Sequence, residues 1–456
     1  MSVATPPLRA AVIGAGPSGF YTTDQLLDAG FEVDLIDALP TPFGLVRAGV
    51  APDHPKIKSV TRVYDKTAAK PGFRFFGGVE LGSDITRTEL VRRYHAIVYA
   101  VGTAYDNRLG IEGEDRPGSY PATRFVAWYN GHPNAAEEHF DLTARRAVVI
   151  GNGNVAVDVA RMLVLEPSEL AQTDTADHAL GALARAQIEE VVLLGRRGPA
   201  QAAFTTPELR ELGELARADV HVDPAELELD EHSARWVEQE ADATSRRNLG
   251  ILAAFAEREA SGKTHRISLR FLRSPVALLG DGEHGPLAAL QVVRNRIEPD
   301  GPGGLRALPT DRFEEIECGL VLRSIGYRGR PVDDVPFDVR RGLIRNVGGR
   351  VCDEDLRSHR GEYVVGWIKR GPSGVIGTNK KDAADTVAKI VEDAASGALG
   401  EPETHDPEWI PERVPSSVAW GGWRAIDESE RRAGEPQGRP RVKIVTVPEL
   451  LAASTG

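Results

Sequence analysis

The sequence predicts an α/β protein made of two Rossmann-like dinucleotide-binding domains, one inserted into the other. Two strings carry that prediction: GAGPSG at 14–19 and GNGNVAVD at 151–158. Each follows an apolar strand, AAVIG or AVVIG, and each runs into a stretch compatible with a helix. A third apolar strand, LVLRSIGY at 320–327, reads as the return of the chain to the first domain. The expected boundaries are 1–104 and 326–456 for the outer domain and 105–325 for the inserted one.

The first unit opens as strand AAVIG, glycine turn, helix FYTTDQLLDAG and strand EVDLID, which ends at Asp37. An irregular stretch rich in Gly and Pro, LPTPFGLVRAGVAPDHPKI, comes next. FRFFGG and VELG are expected to form a strand pair, and AIVYAVGT at 96–103 a further buried strand. Beyond Tyr105 the second loop opens a new unit, with a helix from Asn154 and a strand EEVVLLGRR at 189–197. Residues 224–262 are charged and helix-compatible, and the segments near 266–295 alternate like strands. The closing piece at 362–391 reads as strand, Gly-rich turn and helix.

Composition excludes several classes. With 456 residues, 41% hydrophobic and 6% aromatic, the chain is expected to be soluble and globular with two or three domains. A formal net charge of -12 argues against nonspecific nucleic-acid binding and against a polybasic membrane anchor. Residues 1–8 lack the pattern of a signal peptide and no apolar run reaches membrane-spanning length, so a cytoplasmic location is expected. Cys318 and Cys352 are the only cysteines, which leaves no disulfide framework and no CxxC relay. An iron–sulfur cluster commonly takes four thiolates, so any such centre must belong to a partner. No metal site is read.

The loops carry specific chemistry. In the first, Gly14 permits a tight turn, Gly16 lets backbone N–H groups approach a pyrophosphate, and Gly19 lets helix and strand pack closely. Asp37 stands where an acid accepts ribose hydroxyls. The second loop keeps Gly151 and Gly153 and replaces the third glycine by Ala156. After its following strand come Arg196 and Arg197, where an NAD site would show an acid. Two guanidiniums there can grip a 2′-phosphate. The pair of loops therefore predicts FAD at the first and NADP(H) at the second. His54 and Glu211 are the titratable candidates for the reaction, and Glu208 shares a helix face with Glu211.

In its long strings the chain resembles adrenodoxin reductase and the related bacterial NADPH–ferredoxin reductases. The strings are PTPFGLVRAGVAPDHPKIK at 40–58, FRFFGGVELG, VIGNGNVAVDVAR, GRRGPAQAAFTTPELREL at 195–212, GWIKRGPSGVIGTNKKDA, and GRPRVKIV near 438. The resemblance implies an NADP domain inserted into an FAD domain. Pro17, Ser18, Gly44, Leu45, Leu81 and Gly102 are implied to line the FAD site, and Trp367, Gly374, Val375 and Ile376 to meet the isoalloxazine. Asn152, Asn154, Val155 and Glu208 are implied NADP contacts, with His54 and Glu211 beside the nicotinamide–flavin junction. Asp37 and Phe43 depart from the Glu and Trp of many relatives. The implied reaction is reversible: hydride passes from NADPH to FAD, then single electrons pass to a ferredoxin. The implied protein is a monomer. An acidic ferredoxin would need a basic face, for which Arg210, Arg246 and Arg247 are candidates, followed by Arg266 and Arg270. A diaphorase that reduces quinones or dyes, or a non-catalytic NADP(H)-sensing flavoprotein, would carry the same two loops.

Overall fold

The computed structural model describes residues 7–103, 105–282, 284–301, 303–374 and 376–455. Two compact units divide the chain. One is Arg108–Ile325, and the other is formed by the chain before and after it.

The discontinuous unit is built on a seven-stranded sheet. Five strands run parallel in the order Phe73–Gly77, Glu32–Asp37, Arg9–Ile13, Ala96–Tyr99, Ser358–Val364. Two short strands, Arg350–Cys352 and Asn346–Val347, extend that edge antiparallel. Arg9–Ile13 occupies the middle, and its RAAVI sequence is buried throughout, as a strand covered on both faces requires. The helix Pro17–Asp28 packs on the sheet beside Ile376–Ala395, burying Phe20 and Leu26. Ile13 lies opposite Ile36, so the strands Arg9–Ile13 and Glu32–Asp37 end level with one another. That shared carboxyl edge is where doubly wound sheets bind ligands.

A buried charge cluster ties down the end of this unit. Glu430, on the helix Trp420–Gly434, is fully buried. It accepts bonds from both terminal nitrogens of Arg47, from Arg441 Nη1 at 2.9 Å and from the backbone N–H of Ile444 at 2.9 Å. Burial opposes its charge, but Arg47 and Arg441 hold the carboxyl below the ordinary glutamate range. The Arg47 guanidinium also lies 5.4 Å above the Trp423 ring.

The contiguous unit holds a six-stranded parallel sheet in the order Ser119–Pro121, Leu320–Arg323, Arg146–Ile150, Glu190–Leu194, His265–Arg270, Ala218–Val222. A three-stranded antiparallel sheet, Arg273–Gly280, Leu287–Pro299 and Leu305–Glu317, completes it.

Two expectations are corrected here. The 320–327 strand does not begin the return to the first domain. Leu320–Arg323 is buried along its length and pairs inside the contiguous unit, between Arg146–Ile150 and Ser119–Pro121. VELG does not pair with FRFFGG either. Gly78 and Gly82 take φ of +73° and +97°, which turns the backbone out of a ladder, and Leu81 keeps only an isolated bridge to Ile85. Among the described residues no helix is long and apolar enough to cross a membrane.

Candidate functional site

In the discontinuous unit the GAGPSG loop leaves the central strand through Gly14. This residue has φ of +108°, and its N–H donates to the Ile36 carbonyl at 2.7 Å. A Cβ at Gly14 would lie 2.5 Å from the Ala100 carbonyl oxygen, so only glycine fits. Gly16 is the N-cap of Pro17–Asp28, with Pro17 at the first position and no side-chain cap. A Cβ at Gly16 would meet nothing within 4 Å. The approach to this helix N-terminus is therefore open beside Gly16, and its first-turn N–H groups and positive dipole end suit a pyrophosphate. Gly44, with φ of +48°, brings the LVR turn against the loop, since a Cβ there would sit 3.0 Å from Gly16 Cα. Leu45 is exposed and Leu81 half-buried.

Asp37 braces this loop. Its carboxylate accepts the Ala15 N–H at 2.6 Å and the Leu39 N–H at 2.9 Å. Burial pushes the carboxyl up to about 6, although both backbone bonds pull the other way. Each carboxylate oxygen can still accept a second bond, so ribose hydroxyls remain compatible with the site.

Ser18 packs against Gly366, where a Cβ would come within 2.9 Å of Ser18 Cβ. The Gly366 N–H donates to Asp382 at 2.5 Å, and Lys369 Nζ donates to the same carboxylate at 2.8 Å. This anchors the short helix Trp367–Arg370. The Trp367 indole stacks on Tyr327 at 5.8 Å and 16°, and its Nε1 is buried with no acceptor among the described residues. The Thr103 hydroxyl, next to Gly102 with its φ of +67°, is also buried without a partner among the described residues. An unmet buried donor costs about 1–3 kcal/mol, so two of them at one sheet edge fit a bound group that supplies acceptors. Gly374, with φ of +82°, and Ile376 flank the start of the helix Ile376–Ala395; Val375 lies outside the described residues. The residues present therefore fit FAD.

In the contiguous unit the second loop repeats the pattern. Gly151 has φ of +132° and donates to the Leu194 carbonyl at 2.8 Å. Gly153 caps Asn154–Val164 with no side-chain bond, and a Cβ there would again meet nothing within 4 Å. Asn154 Oδ1 accepts the Thr205 N–H at 2.8 Å, and the Asn152 carbonyl accepts the Ala203 N–H at 3.1 Å. The segment 203–212 is thus tied to the loop, with Val155 half-buried beside it. After Glu190–Leu194 the chain presents Arg196 exposed and Arg197 half-buried. Among the described residues no carboxylate pairs with either guanidinium. Burial, and then the adjacent Arg196 charge, push Arg197 down from its ordinary value. An anion between the two would relieve that repulsion, so the site fits a 2′-phosphate.

Glu208 and Glu211 project from the helix Thr206–Leu212 toward one buried guanidinium. Arg161 Nη1 lies 3.2 Å from Glu208, 2.9 Å from Glu211 and 3.1 Å from Asp158. Sequence reasoning missed Arg161, because the VAVDVAR string marks it only as a helix residue. It missed Asp382 and Thr103 in the same way. His54 belongs to the discontinuous unit, where its carbonyl accepts the Ile57 N–H at 3.1 Å as the short helix Pro55–Lys58 begins. Of the basic candidates, Arg210, Arg247 and Arg266 are exposed, and Arg246 is bonded to the Val237 and Glu238 carbonyls. Arg270 is a correction: it lies 3.0 Å from Glu226 and 3.0 Å from Glu314, so its charge is spent internally.

Comparison with known proteins identifies the family. The family model for pyridine nucleotide-disulphide oxidoreductases matches residues 8–211. The chain is 47% identical to NADPH-ferredoxin reductase FprA of Mycobacterium tuberculosis, over 99% of this chain and 100% of that protein. It belongs to the NADPH–ferredoxin reductase family. The family member from Mycobacterium leprae is 49% identical over 98% of both chains. NADPH:adrenodoxin oxidoreductase of Arabidopsis thaliana is 40% identical over 99% of this chain and 96% of its own. The structure of the M. tuberculosis reductase in complex with NADPH superposes with a TM-score of 0.92 at 46% identity, covering 99% of this chain and 100% of that one. Two Rossmann-like units are thus the family's fold, and both cysteines of this member are buried and unpaired.

Proposed function

We propose that this chain is an FAD-dependent NADPH–ferredoxin reductase, with FAD on the discontinuous unit and NADP(H) on Arg108–Ile325. One observation carries the reading: two open helix N-termini, at Gly16 and Gly153, each follow a parallel strand of a separate sheet, and Arg196 and Arg197, with no carboxylate partner among the described residues, follow only the second. The names of the full-length relatives supply the donor, NADPH, and the acceptor, a ferredoxin. Bound FAD would supply the chemistry that couples a two-electron nicotinamide donor to a one-electron iron–sulfur acceptor.

The chain's own residues hold and aim the two nucleotides. Ser18 and Gly19 offer N–H groups to a pyrophosphate, Asp37 braces that loop, and Trp367 presents its buried indole N–H. Gly374 and Ile376 belong to the same flavin-facing segment in this reading. On the second unit the helix from Asn154 receives the other pyrophosphate while Arg196 and Arg197 take the 2′-phosphate. His54 and Glu211 position the nicotinamide, with Arg161 keeping Glu208 and Glu211 in place. The protein acts as a cytoplasmic monomer, does not bind nucleic acid, and docks its ferredoxin through exposed arginines such as Arg210 and Arg247.

The test is NADPH-driven cytochrome c reduction with and without added ferredoxin. A large ferredoxin-dependent rate is expected; reduction of small dyes alone would make the protein a diaphorase. Arg196→Ala is expected to raise KM for NADPH about tenfold and to leave KM for NADH within about twofold. Equal effects on both nucleotides would refute the 2′-phosphate assignment. Trp367→Ala is expected to shift the flavin absorption spectrum and lower turnover. If spectrum and turnover both stay as in the unaltered protein, Trp367 is not part of the flavin site.

A further inference from the structure

The backbone that presents Arg196 and Arg197 is pinned residue by residue. Gly195 donates to the Arg270 carbonyl at 2.8 Å, and its own carbonyl accepts the Arg273 N–H at 3.0 Å. The Arg197 carbonyl accepts the Leu272 N–H at 3.1 Å. That leaves the Arg196 carbonyl, which accepts a bond from Asn295 Nδ2 at 2.7 Å.

Asn295 comes from a different layer of the unit. It lies on Leu287–Pro299, in the antiparallel sheet, where the pairing with Leu305–Glu317 shifts register between Val293 and Asn295. Such an irregularity bends the strand locally and can re-aim a side chain. Its backbone N–H donates to the Leu272 carbonyl at 2.8 Å, and Nδ2 donates a second bond to Ser274 Oγ at 2.8 Å. Leu272 itself sits at φ of +55°, a conformation that bulky residues seldom adopt. Asn295 is 3% exposed, and its Oδ1 is buried without a partner among the described residues. An apolar residue would fill this place at less cost, so the amide is explained by what its donors hold.

We propose that Asn295 is a positioning residue for the 2′-phosphate subsite, and that it sets the preference for NADPH over NADH. Holding the Arg196 carbonyl orients the peptide plane between Arg196 and Arg197, and with it the direction in which each side chain leaves the backbone. Bidentate recognition of a phosphate depends on that direction, whereas the part of the nucleotide shared with NADH does not touch it. The proposal rests on the reading of this unit as the NADP(H) domain.

Asn295→Leu keeps the branched shape and removes the donor. It is expected to raise KM for NADPH about tenfold, with kcat and the KM for NADH within about twofold. Competitive inhibition by 2′,5′-ADP should weaken in parallel while inhibition by 5′-ADP stays constant. Turnover with NADH reports that the variant is folded. If it is not, Asn295→Ser, too short to reach the carbonyl, is read by the same ratio. Unchanged selectivity, or equal loss with both nucleotides, overturns the proposal. Arg196→Ala, measured in parallel, separates failure of the Asn295 role from failure of the NADP(H) assignment. If it alone abolishes the preference, the NADP(H) reading stands and Asn295 is only structural. If it affects both nucleotides equally, the underlying reading fails.

Discussion

Gly19→Ala is expected to give a folded protein that has lost its FAD. A Cβ at Gly19 would fall deep inside the contact distance of the Gly14 carbonyl oxygen and 3.1 Å from its carbon. Neither side can yield cheaply. Gly14 is fixed by its φ of +108° and its bond to the Ile36 carbonyl, and the helix is held by the buried Phe20 and Leu26. The helix must therefore move away from the loop, and with it the N–H groups of Ser18 and Gly19. Displacing such groups by about 1 Å costs on the order of a hundredfold in a positioned interaction. The ratio of flavin to protein absorbance after gel filtration, followed by titration with FAD, measures the loss. A variant that emerges with one tightly held FAD would remove this loop from the flavin site.

The second large effect concerns stability. Glu430→Leu leaves Arg47 and Arg441 buried without their shared carboxylate. Breaking one side of a buried charge cluster costs about 3–5 kcal/mol, which for a unit of this size lowers the melting temperature by roughly 10 °C. Because the folded carboxyl is held below its ordinary value, its contribution is present at neutral pH and is lost as pH falls through the folded value. The unaltered protein should therefore lose stability on acidification more steeply than Glu430→Leu does. Thermal unfolding followed across that range decides the matter; parallel curves for the two proteins would show that Glu430 carries no such linkage.

Much of the site was legible in the sequence because its chemistry is local. Gly14, Gly16 and Gly19 act within six residues of chain, and Asp37 and Arg196 each stand at the end of a recognisable strand. What escaped depends on partners that only the fold brings together. Asn295 reaches the Arg196 carbonyl across 99 positions, and Arg161 meets Glu211 across 50. Arg270 looked like a surface cation because Glu226 and Glu314, each 44 positions away, give no local sign of facing it. The strand at 320–323 has the buried apolar character of either sheet, and only the register with Ala147–Ile150 decides which one it joins. VELG alternated like a strand until positive φ at Gly78 and Gly82 turned it aside.

The insertion also imposes an order on synthesis. Every strand of the six-stranded sheet has left the ribosome once Leu320–Arg323 is out, so that unit can close while the chain is still growing. The other unit begins first and finishes last. Ala96–Tyr99 must wait for Ser358–Val364 to cover its open edge, and Arg47 waits for Glu430 and Arg441 near the far terminus. Until then the nascent chain carries an unpaired parallel edge and an unmatched cation, and a message broken in its last part would yield a nucleotide-binding half without a flavin-binding one.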